Sequence, residues 1–190
     1  MAGIDRSVTQ SLLDLGEIKK EDDMNQPWSI IRAEDFKAHT NFPGSGIELR
    51  CDINGEDVNL RYEGSIMEEE VLDGFKLLCS RYVSRRGQLL SFCEQMIGEH
   101  DDIGDVHIRG HLNLFEIYVS TSEIFDGSDL TVDPIGSVAF RFSLVDLDDS
   151  FFSKVDRFGP NAMLECTVPF SKNDNTWQWE EMFGDIVDFD

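Results

Sequence analysis

The sequence predicts an α+β domain, with an antiparallel sheet of about five or six strands and two or more helices packed on one face. Three observations lead there. A strictly alternating hairpin spans 47–62, an amphipathic helical stretch follows it, and the second half is a series of strand-like segments. The chain has 190 residues, 41% of them hydrophobic and 11% aromatic, enough to bury one real core. It divides into an N-terminal arm or short helix at 1–26, a single α+β domain at 27–175, and an acidic-aromatic C-terminal segment at 176–190.

The elements are justified in order. Val8 to Leu15 carries a short helical pattern, and the charged stretch EIKKEDDMNQP follows. PWSIIRAEDF reads as another short helix, with Trp28, Ile31 and Phe36 toward the core, and TNFPGSG reads as a loop. IELRCDI then alternates, with Ile47, Leu49, Cys51 and Ile53 on one face. Asn54-Gly55 is the strongest two-residue hairpin signal. It pairs Cys51 with Val58, Leu49 with Leu60 and Ile47 with Tyr62, and sets Glu48 opposite Arg61.

Ser65 and Glu68 fit a capping box for the helix that follows. Val71, Leu72, Phe75, Leu78, Cys79 and Tyr82 form its apolar stripe. Arg81, Arg85 and Arg86 suit a C-terminal helix dipole, and Gly87 reads as a stop. QLLSFCEQMIG extends the helical pattern to Ile97. VHIRG, LNLFEIYVS, GSVAFRFSLV and MLECTVPF read as strands, the last ending or lying at an edge because Pro169 cannot donate to a ladder. DSFFSKVDRFG reads as a short helix, and STSEIFDGSDLTVDP as a long loop or hairpin arm. TWQWEEMFGDIVDF has two readings: a terminal helix docked through Trp177 and Trp179, or a segment that folds onto a partner.

The formal net charge is -22, from 38 acidic and 16 basic residues. Residues 1–100 hold 19 acids and 11 bases, whereas residues 101–190 hold 19 acids and 5 bases. The second half therefore carries the stronger negative field. Such a field repels nucleic acid and anionic membrane and favours basic partners. The four cysteines sit in apolar patterns without CxxC spacing, which reads as reduced core thiols of a cytoplasmic protein. No run approaches a membrane span, and the first residues lack the apolar stretch of a signal peptide.

Catalytic signatures are missing. There is no GxSxG, P-loop, GxGxxG or HExxH pattern, and no cofactor motif. His100, Asp101, Asp102, Asp105, His107 and His111 are ligand types, but their spacing fits no zinc or calcium motif. An enzyme is therefore not expected, and a metal-dependent one using 100–111 is the remote alternative.

The expectation is a non-catalytic acidic binding protein that inhibits a basic partner by electrostatic and steric blockade. The partner would be a toxin, a nuclease or a nucleic-acid-binding complex. The chain would then be an immunity protein or a DNA-mimic inhibitor. The expected contact residues are Glu123, Asp126, Asp129, Asp146, Asp148, Asp149, Glu180, Glu181 and Asp185, with Trp177 and Trp179 as anchors. The rival is an acidic secretion-type chaperone holding an unfolded segment. A homodimer stays open on either reading.

Overall fold

The structure, a computed structural model, describes residues 26–39, 46–99, 108–126, 129–144, 162–171 and 176–188. Its most local feature is the hairpin turn. Asn54 and Gly55 both take positive φ, 55° and 85°, and Gly55 N–H donates to Asp52 Oδ1 at 3.2 Å. Two successive left-handed residues give a twist that matches the flanking strands. Those strands are β2 (Gly46–Ile53) and β3 (Glu56–Tyr62), after a short β1 (Lys37–His39). The expected register is found throughout, from Ile47 opposite Tyr62 to Cys51 opposite Val58.

The remaining elements are α1 (Glu69–Gly98), β4 (Leu112–Asp126), β5 (Asp129–Leu144), β6 (Ala162–Ser171), β7 (Thr176–Trp177) and β8 (Phe183–Asp188). Short 3-10 turns lie at Pro27–Ile30, Ala33–Asp35, Arg109–His111 and Trp179–Glu181. The eight strands form one sheet in the order β1-β2-β3-β4-β5-β6, with β7 and β8 both on the far side of β6. Every strand pair is antiparallel except β3 and β4, which run parallel.

These facts correct the expected fold class. The molecule is mostly sheet, and the sheet is large and mixed. Among the described residues it carries a single α-helix, not two or more. The helical stretches on either side of Gly87 are one 30-residue helix. A glycine inside a helix costs only about 0.5–1 kcal/mol. The apolar stripe continues through it, from Tyr82 to Leu89, Leu90, Cys93 and Ile97, all buried. Burying several such side chains at ~1.5–3 kcal/mol each outweighs one glycine. The helix starts one residue after Glu68, without a side-chain cap, so the Ser65 capping box is not formed. Parallel strands need a long crossover, and α1 supplies it between β3 and β4.

Other local expectations shift as well. PWSIIRAEDF forms two 3-10 turns, yet Trp28, Ile31 and Phe36 are buried as expected. Arg109–His111 is a 3-10 turn, not a strand. Pro169 ends the β5 ladder opposite Ser137, but β6 is an inner strand. The Val8–Leu15 helix, nearly all of TNFPGSG and all of DSFFSKVDRFG lie outside the described residues.

α1 packs on the face that carries Val58, Leu60, Leu114, Ile117, Phe140, Phe142, Leu164 and Cys166. Tyr82 stacks on Phe140 with centroids 6.0 Å apart and tilts against Phe142 at 6.4 Å. Period two puts Glu56 on this same core face, and there it is buried. Tyr82 Oη donates to Glu56 Oε2. Leu114 N–H donates to Oε1 at 3.1 Å, and Arg86 Nη2 donates to Oε1 at 3.3 Å. One carboxylate thus ties β3, β4 and the middle of α1 together.

Removing it should be costly, because Tyr82 Oη and Leu114 N–H would be stranded. Glu56→Ala is expected to lose about 3–5 kcal/mol of unfolding free energy. Glu56→Gln keeps an acceptor and should lose less. Urea unfolding followed by circular dichroism measures both.

Candidate functional site

Four arginines among the described residues are engaged in ion pairs within the chain. Arg32 bridges Glu34 at 3.5 Å, Arg50 bridges Asp57 at 3.3 Å, and Arg86 bridges Glu56. On the sheet face away from α1, Arg141 bridges both Glu116 and Glu165, the latter at 2.7 Å. Asn59 Nδ2 donates to Glu48 and Glu116 at 3.2 Å each. The row follows from register, since Asn59, Glu116, Arg141 and Glu165 are successive cross-strand partners. Burial alone would lower the Arg141 pKa, but Glu116 and Glu165 outweigh it and the pKa is raised. Arg61 and Arg141 both lie over the Tyr118 ring, at 5.6 and 4.5 Å. This face is a held ionic lattice.

The C-terminal segment is built differently. It forms strands where a terminal helix was one expectation, because Phe183, Asp185 and Val187 alternate with Gly184 and Ile186. β8 pairs with β6 from Thr167–Phe183 to Ala162–Asp188. Gly184 lies close under α1, where an added Cβ would fall 2.8 Å from the Phe92 ring and 3.1 Å from Met96 Sδ. Trp177 and Trp179 are 8% and 7% exposed. Trp177 meets the Phe170 ring edge-on at 5.0 Å, and Trp179 packs on Phe140 at 5.7 Å. Arg85 covers the Trp179 ring at 5.0 Å. Both tryptophans complete the core, so they do not stand free as anchors.

Glu180, Glu181 and Asp185 are exposed, and no cation among the described residues bridges them. Asp185 Oδ1 accepts the Ile186 N–H at 2.8 Å. Beside Glu180, on the α1 face, is a groove of about 310 Å³. Gln88, Ser91, Phe92 and Gln95 of α1 form one wall, Trp179 and Met182 the other, and Glu180 stands at its rim. A larger cavity of about 760 Å³ lies over β1, β2 and β3. It mixes Glu34, Asp35 and Glu48 with Lys37 and Arg50, so its charges are of both signs and nearly balance.

The remaining expected contact residues lie elsewhere. Glu123 is opposite Val132, and Asp126 and Asp129 close the far end of the β4–β5 ladder. Beyond Ser137 this hairpin has no third strand among the described residues. Its eight remaining β5 residues, 129–136, reach roughly 25 Å past that point at about 3.3 Å per residue. The hairpin arm and the β8 edge are thus two separate acidic features. Asp146, Asp148 and Asp149 lie outside the described residues, as do His100, Asp101, Asp102, Asp105 and His107. His111 is in the 3-10 turn before β4. Among the described residues, no group of three His, Cys, Asp or Glu side chains could hold a metal ion. No described helix is long and apolar enough to cross a membrane.

Sequence reasoning missed the Arg86 and Arg85 roles. It assigned them to a helix end, whereas they sit mid-helix on Glu56 and Trp179. The available signal was Glu56 itself, an acid at a core-facing position of a strand.

The thiols are poor nucleophiles. Burial, then Asp52 and Asp57, push Cys51 up to about 11. Burial raises Cys79, and contact with Cys93 followed by burial raises Cys166. Native protein should therefore label with a maleimide at Cys51 alone. Its rate should rise about tenfold per pH unit between pH 7 and 10, as the thiolate fraction grows. The three buried thiols should label only after unfolding, which intact-mass spectrometry can count. Trp179→Ala should cost about 3–5 kcal/mol, as for other buried tryptophans, in the same urea assay. Comparison of the chain with family models, curated proteins and solved structures gives no match.

Proposed function

We propose that this chain is a non-catalytic acidic binding protein that blocks a basic partner. The partner class is a nuclease-type toxin, or a nucleic-acid-binding complex whose cationic groove the chain fills. The observation that carries this reading is the division of charge. Arg86 and Arg141 are bridged to buried or half-buried carboxylates and Arg32 and Arg50 to exposed ones of the same chain, while Glu180, Glu181 and Asp185 face solvent without a bridging cation among the described residues. With 38 acids against 16 bases, pairing within the chain cannot cancel the net -22.

Such a field raises the on-rate for a cationic surface and repels nucleic acid competing for it. Blockade needs no chemistry from this chain, only occupancy of the partner's working face. The chaperone alternative needs a broad apolar platform. Among the described residues the large exposed apolar side chains, Ile30, Ile66, Leu77, Val83 and Phe183, are instead spread over four segments.

Immobilised protein exposed to a lysate at about 50 mM salt should retain a basic protein, identified by mass spectrometry. That protein should elute by about 500 mM salt, since exposed charge pairs are screened. Retention of no basic protein, or of one insensitive to salt, defeats the reading.

A further inference from the structure

We propose that the open edge of β8 is where the partner is held, by adding an extended basic segment to the sheet. This inference rests on the reading of the chain as a binder of basic proteins and adds the place and mode of contact. Three observations carry it. β8 pairs with β6 on one side, and among the described residues no strand pairs with its other side. The Ile186 N–H goes to the neighbouring Asp185 carboxylate, not to a strand, which marks the open side of the ladder. Phe183, 58% exposed, stands at the start of β8 on the sheet face away from α1, the face that also carries Asp185, and offers an apolar contact beside that carboxylate.

Main-chain bonds along an edge give affinity, and the flanking side chains select what may add. Here the selection is by charge. An incoming carbonyl would take the Ile186 N–H and release the Asp185 carboxylate to meet a lysine or arginine. Glu180 and Glu181 offer two more carboxylates at the same end. A second copy of this chain is the wrong occupant. Antiparallel pairing of two β8 strands centred on Asp185 would set that residue of each chain opposite the other's, on chains of net charge -22. Like charges facing across a ladder destabilise it, which is how natural edges avoid self-pairing. The same Asp185 thus rejects a copy of the chain and admits a basic strand.

The test uses the full chain and an octapeptide of alternating lysine and valine, with its glutamate-valine counterpart as control. Binding is followed by fluorescence titration and by amide hydrogen exchange of residues 179–188. The basic peptide should bind saturably and slow exchange in β8, and the acidic one should do neither. Asp185→Lys should weaken the basic peptide at least tenfold. Asp73→Lys makes the same change of net charge on an exposed helical site about 28 Å along α1 from Phe92, at 1.5 Å per residue, and should leave affinity within twofold. Circular dichroism confirms that both variants fold.

Equal weakening by the two variants, or unchanged exchange in β8, overturns the inference. A basic protein retained from the lysate equally by wild type and by Asp185→Lys also overturns it, while leaving the proposed function standing. Peptide capture at β8 with no basic protein retained from the lysate supports the edge chemistry and defeats the proposed function.

Discussion

The buried Glu56 carboxylate is the constraint on which the other parts depend. It follows the two-residue Asn54-Gly55 turn and points into the core. There it accepts from Tyr82 of the helix, from the Leu114 backbone and from Arg86. A charge in an apolar interior is tolerable only when its lone pairs are filled and a counter-charge is near. Those demands fix the helix register on the sheet and bring β4 alongside β3. Burial and the Glu56 bond together raise the Tyr82 pKa, so this link persists well into alkaline pH. Tyr82 then supports Phe140, Phe140 supports Trp179, and Trp179 positions the turn that leads to β8. The polar site and the acidic edge are connected through one line of packed rings.

The fold was legible where short-range chemistry decides it. The hairpin was readable to the residue, because turn type and alternation agree on one register. The helical stripe was readable from Val71 to Ile97, but its continuity through Gly87 was not. A glycine signals a stop locally, and only the sheet beneath reveals that both halves bury the same face. The parallel β3–β4 pairing was also hidden, since no local pattern distinguishes a strand that returns beside its predecessor from one that turns back. The C-terminal segment misled in a similar way. Its aromatic spacing allows a helix, while the β-branched pair Ile186 and Val187 and the need of β6 for a neighbour favour a strand.

The site was partly legible. Composition located the acidic excess in the second half, and the exposed Glu180, Glu181 and Asp185 belong to it. The tryptophans were harder to place. An aromatic beside carboxylates has the same composition whether it anchors a partner or closes a core, and only the position of Phe140 and Phe170 decides between the two. The Asp185 bond to Ile186 could not be read at all, because it requires knowing that β8 lies at an edge.

The two sides of β3 are formed on very different terms. Toward β2 its partner lies across a two-residue turn, whereas Asn59 reaches Glu116 across 57 residues. Hairpins of the first kind close in about 1–10 μs, while contacts of the second kind must first overcome the entropy of closing a long loop. A chain of this topology assembles around β2–β3 and waits for the helix before the second half of the sheet can join. Until it does, β3 presents an unpaired backbone edge and a bare apolar face with Val58, Leu60 and Tyr62 uncovered. In that interval the high net charge serves a purpose unrelated to any partner: it keeps half-built copies of the chain apart.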